Sequence, residues 1–375
     1  MVLTSHYTPQ KKTKSSGASS KLPHKQILNM IDETHPILSQ SRFQPPEKWD
    51  WSHRELSGIK IRYGLPRSRK IYKAAALILG GLGDFGEQYY ELAQDLDNRD
   101  IKPVIIDLPG QGGSGRYLKN LHKRHSNGFD NLLKDLSILI DEIVLSAAID
   151  PENNHLRLPI FLIAHSMGGH LALRYLSEYN ITTKGQPVFS AVALSAPMMN
   201  IKAVERLPGI ISFPILKILG LFPTAYVPGG CNWTEQYRDR PTLKGIFTSD
   251  EHRAELQKAF FSHPEYAHLA IGSPTNKWLN DAIKSCKKLR KKGYLEKIET
   301  PIVIGLAGDD RIVSNIAILE ASARLKNCDL LELDGAQHEI LMEKDQYRSA
   351  FLDHFFTFVE NNVFNKENNG KTFIV

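Results

Sequence analysis

The sequence predicts an α/β fold, a mostly parallel central sheet with helices on both faces and an inserted cap, and three observations carry that prediction. Short apolar runs at residues 74–79, 104–106, 159–165, 190–197, 302–306 and 329–334 have the length and bulk of buried strands. The third of them runs into P-I-F-L-I-A-H-S-M-G-G-H-L-A-L-R-Y-L (159–176), which sets Ser166 on a sharp turn between an apolar strand and an amphipathic helix. Between Met198 and about Thr300 the alternation of strand and helix stops, and 375 residues at 42% hydrophobic content leave room for such an excursion beside one large core.

In chain order, residues 1–25 are a basic segment expected to be disordered. Lys11, Lys12, Lys14, Lys21 and Lys25 all precede the first acidic residue, Asp32, and supply much of the net charge of +6. No signal-peptide core follows the first methionine, so the expected location is the cytoplasm. Residues 26–197 are read as the first part of the core. They open with a Pro/Trp-containing lead-in and the alternating pattern E-L-S-G-I-K-I-R-Y-G-L-P, a pair of short strands at the sheet's antiparallel edge.

The run 74–79 is followed by Gly81-Leu82-Gly83-Asp84-Phe85-Gly86, a formal G-x-G-x-x-G, and the next run ends in Asp107, near the spacing of a ribose-binding acid. Two features oppose a dinucleotide site. The turn is followed by polar and aromatic bulk in E-Q-Y-Y, and Asp107 opens D-L-P-G-Q-G-G-S-G, a long glycine-rich loop that such a site does not need. A hydrolase reading uses both segments: the first glycine turn would bring the Leu82 N–H beside that of Met167 as two oxyanion donors.

At the elbow the small residues Ala164, Gly168 and Gly169 let strand and helix approach closely enough to expose the Ser166 hydroxyl, with Ala164 in place of the first glycine of G-x-S-x-G. A serine hydroxyl is a poor nucleophile near neutral pH, so a histidine and an orienting acid are required downstream. His165, next to the serine, is expected to point away and to pack or hydrogen-bond beneath the turn.

Residues 198–299 are read as a cap. They contain R-L-P-G-I-I-S-F-P-I-L-K-I-L-G-L-F-P, the most apolar stretch of the chain, which Pro208, Gly209, Pro214 and Pro223 are expected to break into short pieces. With Lys217 inside it, the stretch is too short and interrupted for a membrane span. It is cap core or an acyl-chain site, with Ile210, Phe213, Leu216 and Leu219 as candidate substrate contacts. Further on, Trp278, Leu279, Ile283 and Leu289 share one helical side, while Lys284, Lys287, Lys288, Arg290, Lys291 and Lys292 crowd the rest. That is a solvated face or a peripheral contact with an anionic membrane surface, at the membrane's inner face.

Residues 300–362 complete the core, and 363–375 form a C-terminal tail. The strand 302–306 runs into Asp309 and Asp310, alternatives for the orienting acid, of which Asp310 directly precedes the Arg311-Ile312-Val313 that re-enters packing. The strand 329–334 ends in G-A-Q-H-E-I, which puts His338 on a loop beyond a strand's carboxyl end, where catalytic groups gather. His354 lies in a run with helical spacing and is expected to be structural. Cys231, Cys286 and Cys328 are far apart and without C-x-x-C spacing, so buried or incidental thiols are expected. No metal-ligand spacing and no basic stripe interleaved with aromatic residues occurs, so neither cofactor, metal nor nucleic acid is expected.

Several of these segments resemble one family. G-G-L-G-D-F-G-E-Q-Y is similar to the H-G-x-G-E-x-x-x-R-Y of monoacylglycerol lipases and bacterial lysophospholipases, and D-L-P-G-Q-G-G-S-G to their D-x-x-G-x-G-x-S-x-G. A-H-S-M-G-G resembles their elbow, and A-G-D-D-R-I-V with G-A-Q-H-E-I-L-M-E-K-D resembles the end of the larger bacterial lysophospholipases. The resemblance implies an α/β-hydrolase fold with Ser166 as nucleophile, Asp310 as acid, His338 as base, and Leu82 and Met167 as oxyanion donors. It also implies a lipid ester substrate, a lysophospholipid ahead of a monoacylglycerol. Gly80 stands where the family usually has histidine, and Gln88 where it usually has arginine. A general carboxylesterase, an aminopeptidase-type hydrolase and a non-catalytic scaffold are the alternatives.

Overall fold

A computed structural model describes residues 35–150, 156–181, 185–205 and 209–365. The basic segment 1–25 and most of the tail 363–375 lie outside the described residues.

Eight strands form one sheet: β1 (Trp49–Leu56), β2 (Ile59–Pro66), β3 (Ala74–Leu79), β4 (Ile101–Ile106), β5 (Ile160–His165), β6 (Ala191–Ser195), β7 (Ile302–Ala307) and β8 (Cys328–Leu333). Their order is β1-β2-β4-β3-β5-β6-β7-β8. β1 and β2 form an antiparallel hairpin, and β2 pairs antiparallel with β4. The remaining pairs are parallel. Every residue of β3, β5, β6 and β7 is buried, which requires helices on both faces and explains why these strands are continuous apolar runs without alternation. The edge hairpin was legible only in part: it reaches back to Trp49, ahead of the alternating residues, because Trp49 and Trp51 pack over Gly64, where an added Cβ would lie 2.6 Å from either ring.

Helices α1 (Tyr90–Asp97), α2 (Phe129–Leu139), α3 (Met167–Glu178), α4 (Gly209–Gly220), α5 (Glu251–Ser262), α6 (Asn276–Leu289), α7 (Asn315–Ser322) and α8 (Asp345–Val359) complete the main elements. α1 and α8 are joined by Arg348, whose guanidinium donates to Asp95 at 2.6 Å, and Phe355 of α8 meets Phe161 of β5 edge to face. α2 and α3 form another layer together with α6: Phe129 packs on His170, whose Nε2 lies 2.6 Å from the Ser285 hydroxyl, and Arg174 binds Asp130, Glu178 and Ser285.

That placement of α6 changes the division expected at residues 198–299. Trp278, Ala282, Cys286 and Leu289 belong to the same buried cluster as the sheet, so the last part of that interval is core. A second apolar cluster ties the insertion to the start of the described chain. Ile37, Leu38 and Phe43 pack with Leu256, Phe260, Phe261 and Ile271, and Phe85 lies between the two groups with its ring 5.3 Å from Phe260 and 4.9 Å from Phe261. The expectation of short pieces at 206–223 also needs correction. α4 runs as one helix through Pro214, whose missing N–H removes one donor. Among the described residues no helix is long and apolar enough to cross a membrane.

Candidate active site

β5 delivers Ser166 into a backbone conformation with φ 49° and ψ −112°, a left-handed strain that only a well-braced turn sustains. The bracing is visible. The Ser166 N–H donates to the Ser195 carbonyl at 3.0 Å, and the Ser166 carbonyl accepts from the N–H groups of His170 and Met198, both at 3.0 Å. α3 then leaves so close to β3 that a Cβ on Gly168 would lie 2.5 Å from the Leu79 carbonyl oxygen. The glycines are needed for this approach, while Ala164, inside the fully buried β5, fits its alanine methyl without opening the sheet.

His338 arrives on the loop after β8. Its Nε2 lies 2.9 Å from the Ser166 Oγ, and its Nδ1 lies 2.7 Å from the Asp310 Oδ2 on the loop after β7. The other Asp310 oxygen accepts from the N–H groups of Ile312 and Val313 at 2.7 and 2.9 Å, which fixes the carboxylate's aim. The structure thus brings Ser166, His338 and Asp310 together and leaves Asp309 exposed. His354 of α8 lies 2.9 Å from Asp329 of β8 and makes no contact with Ser166.

The electrostatics follow from burial and pairing. Burial alone would raise the Asp310 pKa, but His338 and the two N–H donors outweigh it and hold the carboxyl below its ordinary range. Burial opposes a charged His338, yet the Asp310 carboxylate raises its pKa above the ordinary 6.5. His165 is held neutral, its pKa lowered by burial and then by His338. It bonds under the turn as expected, with Nδ1 3.1 Å from the Ser195 carbonyl, but it does not point away from the site: its ring centroid lies 4.7 Å from that of His338.

Leu82 and Met167 both line one crevice, together with Gln111, Tyr117, Arg124, His125, Leu132 and Trp278. Neither backbone N–H has a hydrogen-bond partner among the described residues. The loop that presents Leu82 is held by side chains that the sequence did not single out. Asp84 accepts from the Gly81 N–H and, at 2.6 Å, from the Tyr89 hydroxyl. The Gln111 carboxamide accepts from the Gly83 N–H at 3.0 Å and donates to the Gly81 and Asp84 carbonyls at 2.7 and 3.2 Å. Asp84 and Tyr89 also explain Gly80, since a Cβ there would lie 2.7 Å from the Asp84 Cβ and 3.0 Å from the Tyr89 ring. Gln88 is buried, with its Oε1 lacking a partner among the described residues.

Asp107 has a structural occupation. It binds Arg62 at 2.6 Å and accepts from the Gly113 N–H at 2.7 Å, while Arg62 also forks onto Glu87. This buried cluster shapes the glycine loop and takes the carboxylate that a ribose would need. Of the four cap residues expected to touch substrate, Leu216 and Leu219 are half-buried and do not line the crevice, and the side chains of Ile210 and Phe213 lie outside the described residues.

A strained serine at the end of a central parallel strand, with a histidine and a carboxylate on the loops after β8 and β7, defines the chain as an α/β-hydrolase. More particularly, residues 71–345 match the family of serine aminopeptidases, S33, and the chain belongs to that family. Lysophospholipase L2 of Escherichia coli (strain K12) is 28% identical over 288 residues, covering 75% of this chain and 77% of that protein. A monoglyceride lipase homolog of monkeypox virus is 22% identical over 294 residues, covering 78% of this chain and 91% of that protein. A soluble variant of monoglyceride lipase from Saccharomyces cerevisiae, solved with a substrate analog, has the same fold at 16% identity and a TM-score of 0.61, covering 86% of this chain and 98% of its own.

Proposed function

We propose that the protein is a serine hydrolase that cleaves the fatty-acyl ester of single-chain lipids, lysophospholipids before monoacylglycerols. The observation that carries this reading is the chain of hydrogen bonds from the Ser166 hydroxyl through His338 to Asp310 at a strained turn. In this reading Ser166 attacks the ester carbonyl while His338 takes its proton and Asp310 stabilises the imidazolium. The N–H groups of Leu82 and Met167 receive the oxyanion. His338 returns the proton to the leaving glycerol oxygen, the acyl group stays on Ser166, and a water deprotonated by His338 then releases the fatty acid.

The lipid substrate is supported by the relatives' names and by apolar surface on the insertion. Ile215, Ile218, Leu221 and Phe222 are 39, 59, 74 and 62% exposed at the end of α4 and just beyond it. Exposed apolar groups in such number mark a surface that meets something apolar. Asn276 and Asn280 of α6 donate to the Phe222 and Leu216 carbonyls, so the two helices run antiparallel and Lys284, one turn further along α6, lies toward the start of α4, away from the patch at its end. Lys287, Lys291 and Lys292 are exposed beyond Lys284, whereas Lys288 is engaged with Asp130 and Glu178. We read residues 198–275 as a lid that rests on an anionic membrane surface through this patch, a peripheral contact.

The deciding experiment is fatty-acid release by the purified protein from lysophosphatidylcholine, lysophosphatidylethanolamine and monoacylglycerol side by side, with Ser166→Ala as control. Release from the lysophospholipids that falls by about 10⁴-fold or more in the variant is the expected result. A preference for monoacylglycerol would move the headgroup. Cleavage of amino-terminal peptide substrates without lipid hydrolysis would replace the lipid reading with a peptidase.

A further inference from the structure

Between Asp107 and Asp130 the chain carries Arg116, Lys119, His122, Lys123, Arg124 and His125 and no acidic residue. This segment is clamped against residues 272–275: the Gly272 N–H donates to the His122 carbonyl at 2.8 Å, the Arg124 N–H to the Ser273 carbonyl at 3.2 Å, and the Thr275 N–H to the Arg124 carbonyl at 2.9 Å. The clamp aims Arg124 at the loop that carries Leu82. Its guanidinium lies over Gly83, where an added Cβ would come within 2.2 Å of the Arg124 Cζ, and its Nη1 donates to the Leu82 carbonyl at 2.8 Å.

The rest of that guanidinium is unoccupied. Nε is buried without a hydrogen-bond partner, and no carboxylate lies within ion-pair distance among the described residues. Four buried arginines, Arg62, Arg174, Arg253 and Arg348, each meet a carboxylate at 2.5 to 2.7 Å, while buried Arg157 donates to the Val188 and Pro187 carbonyls. Arg124 is half-buried, with Asp84 and Glu339 acting on it only from beyond contact distance; holding such a cation partly out of water is costly, and a guanidinium stays protonated even where burial lowers its pKa, as it does here. Such a charge is tolerable if its counter-ion arrives with the substrate.

We propose that Arg124 binds the phosphate of a single-chain lipid's headgroup while the acyl ester lies at Ser166. Nη1 is spent on Leu82, which leaves Nε and Nη2, the edge that forks onto two oxygens of a phosphate. Arg124 lines the same crevice as Leu82 and Met167, so a phosphate on this edge would share that crevice with a carbonyl held by those N–H groups. The inference rests on the lipid-ester reading above and names which lipid the crevice favours: one with an anionic phosphate.

The test uses the full chain with Arg124→Gln, which keeps amide donors and drops the charge, and Arg124→Lys, which keeps the charge and drops the fork. kcat/KM is measured on lysophosphatidylcholine and on monoacylglycerol of the same acyl chain, and binding of glycerophosphocholine and of inorganic phosphate is followed by calorimetry. Loss of one charge-assisted contact should lower the lysophospholipid to monoacylglycerol ratio by about tenfold to a hundredfold in Arg124→Gln, with partial recovery in Arg124→Lys. Glycerophosphocholine should bind wild type and not Arg124→Gln. An equal loss on both lipids would mean that Arg124 only braces Leu82, and would overturn the proposal. Binding of inorganic phosphate without glycerophosphocholine would assign the site to a free anion and overturn it as well. If wild type hydrolyses neither lipid, the functional reading fails, and calorimetry alone still decides for or against Arg124 as a phosphate site.

Discussion

The sheet and α4 are built from similarly apolar sequence and dispose of it in opposite ways. In β3, β5 and β7 each apolar side chain is covered from both faces, and the strands end in the loops that carry Ser166 and Asp310. In α4 the same residue types, Ile215 and Ile218, remain exposed, and Leu221 and Phe222 continue the patch past the helix end. Hydrophobicity alone therefore does not locate the core of this protein. A parallel strand has neighbours dictated by the sheet, whereas α4 touches mainly one element, α6, and turns its remaining surface outward. The first region fixes atoms to within a hydrogen bond; the second leaves apolar side chains open to solvent.

The comparison can be pressed hardest at the rigid end. Asp310→Asn should lower kcat by roughly 10³- to 10⁴-fold, because the amide neither stabilises the imidazolium nor holds the productive tautomer. The acid limb of the pH profile supplies the sign. His338 must be neutral to accept the serine proton, so activity rises with pH through its pKa, which Asp310 holds above 6.5. In Asp310→Asn the two largest raising influences are gone and burial is opposed only by the more weakly acting Glu339 and Asp84, so the limb should move to lower pH while the rate falls. A limb that stays in place would mean that another group sets it.

A smaller effect separates the two regions by stability. Leu162, inside β5 and 1% exposed, should cost about 2–5 kcal/mol when cut to alanine, because neighbours on both faces cannot collapse into the void. Ile218→Ser, on the exposed side of α4, should change stability by about 0.5 kcal/mol or less. Denaturant melts of the two variants check this, and an equally large loss at Ile218 would show that α4 is core after all.

What was legible in the residues follows the same line. The strand runs, the elbow and the loops bearing Asp310 and His338 were readable, because each depends on neighbours in sequence: small residues at the turn, an apolar run before each loop. The helix through Pro214 was misread because proline was weighed by its local rule, and one missing bond is tolerated within a continuous helix. The inclusion of α6 in the core, the contact of residues 37–43 with α5 and the tilt of His165 onto His338 are long-range matters that no local pattern encodes. Gln111 belongs with them. Its loop was visible as glycine-rich sequence, but that its carboxamide grips three backbone groups of the loop at 81–84 depends on where two distant turns meet.

That grip gives a prediction of intermediate size. Gln111→Leu removes a bridge to Gly81, Gly83 and Asp84 without touching Ser166, His338 or Asp310, so the loop presenting Leu82 should lose its fixed aim. A misaligned oxyanion donor should lower kcat by about tenfold to a hundredfold, less than the loss of a donor itself, with KM changing little. If KM rose instead with kcat intact, the loop would be serving substrate binding, and the free N–H of Leu82 would not be an oxyanion donor.

The smallest effect is expected where the structure is least constrained. Ile218→Ser with Phe222→Ser removes two of the most exposed apolar groups and leaves the hydrogen bonds about Ser166 untouched. Hydrolysis of a short water-soluble ester should therefore stay within about twofold of wild type, since surface changes away from a site perturb it little. On vesicles containing anionic phospholipid the same variant should lose roughly threefold to tenfold in activity and sediment less with the lipid, because the apolar area buried at the interface shrinks. Added salt should weaken wild-type binding further through the exposed lysines of α6, Lys284 and Lys287. Equal activity of the variant and wild type on vesicles would break the contrast between the two regions, for α4 would then expose its apolar residues without meeting a membrane. Equal losses on vesicles and on the soluble ester would break it from the other side, by making α4 part of the wall that shapes the crevice.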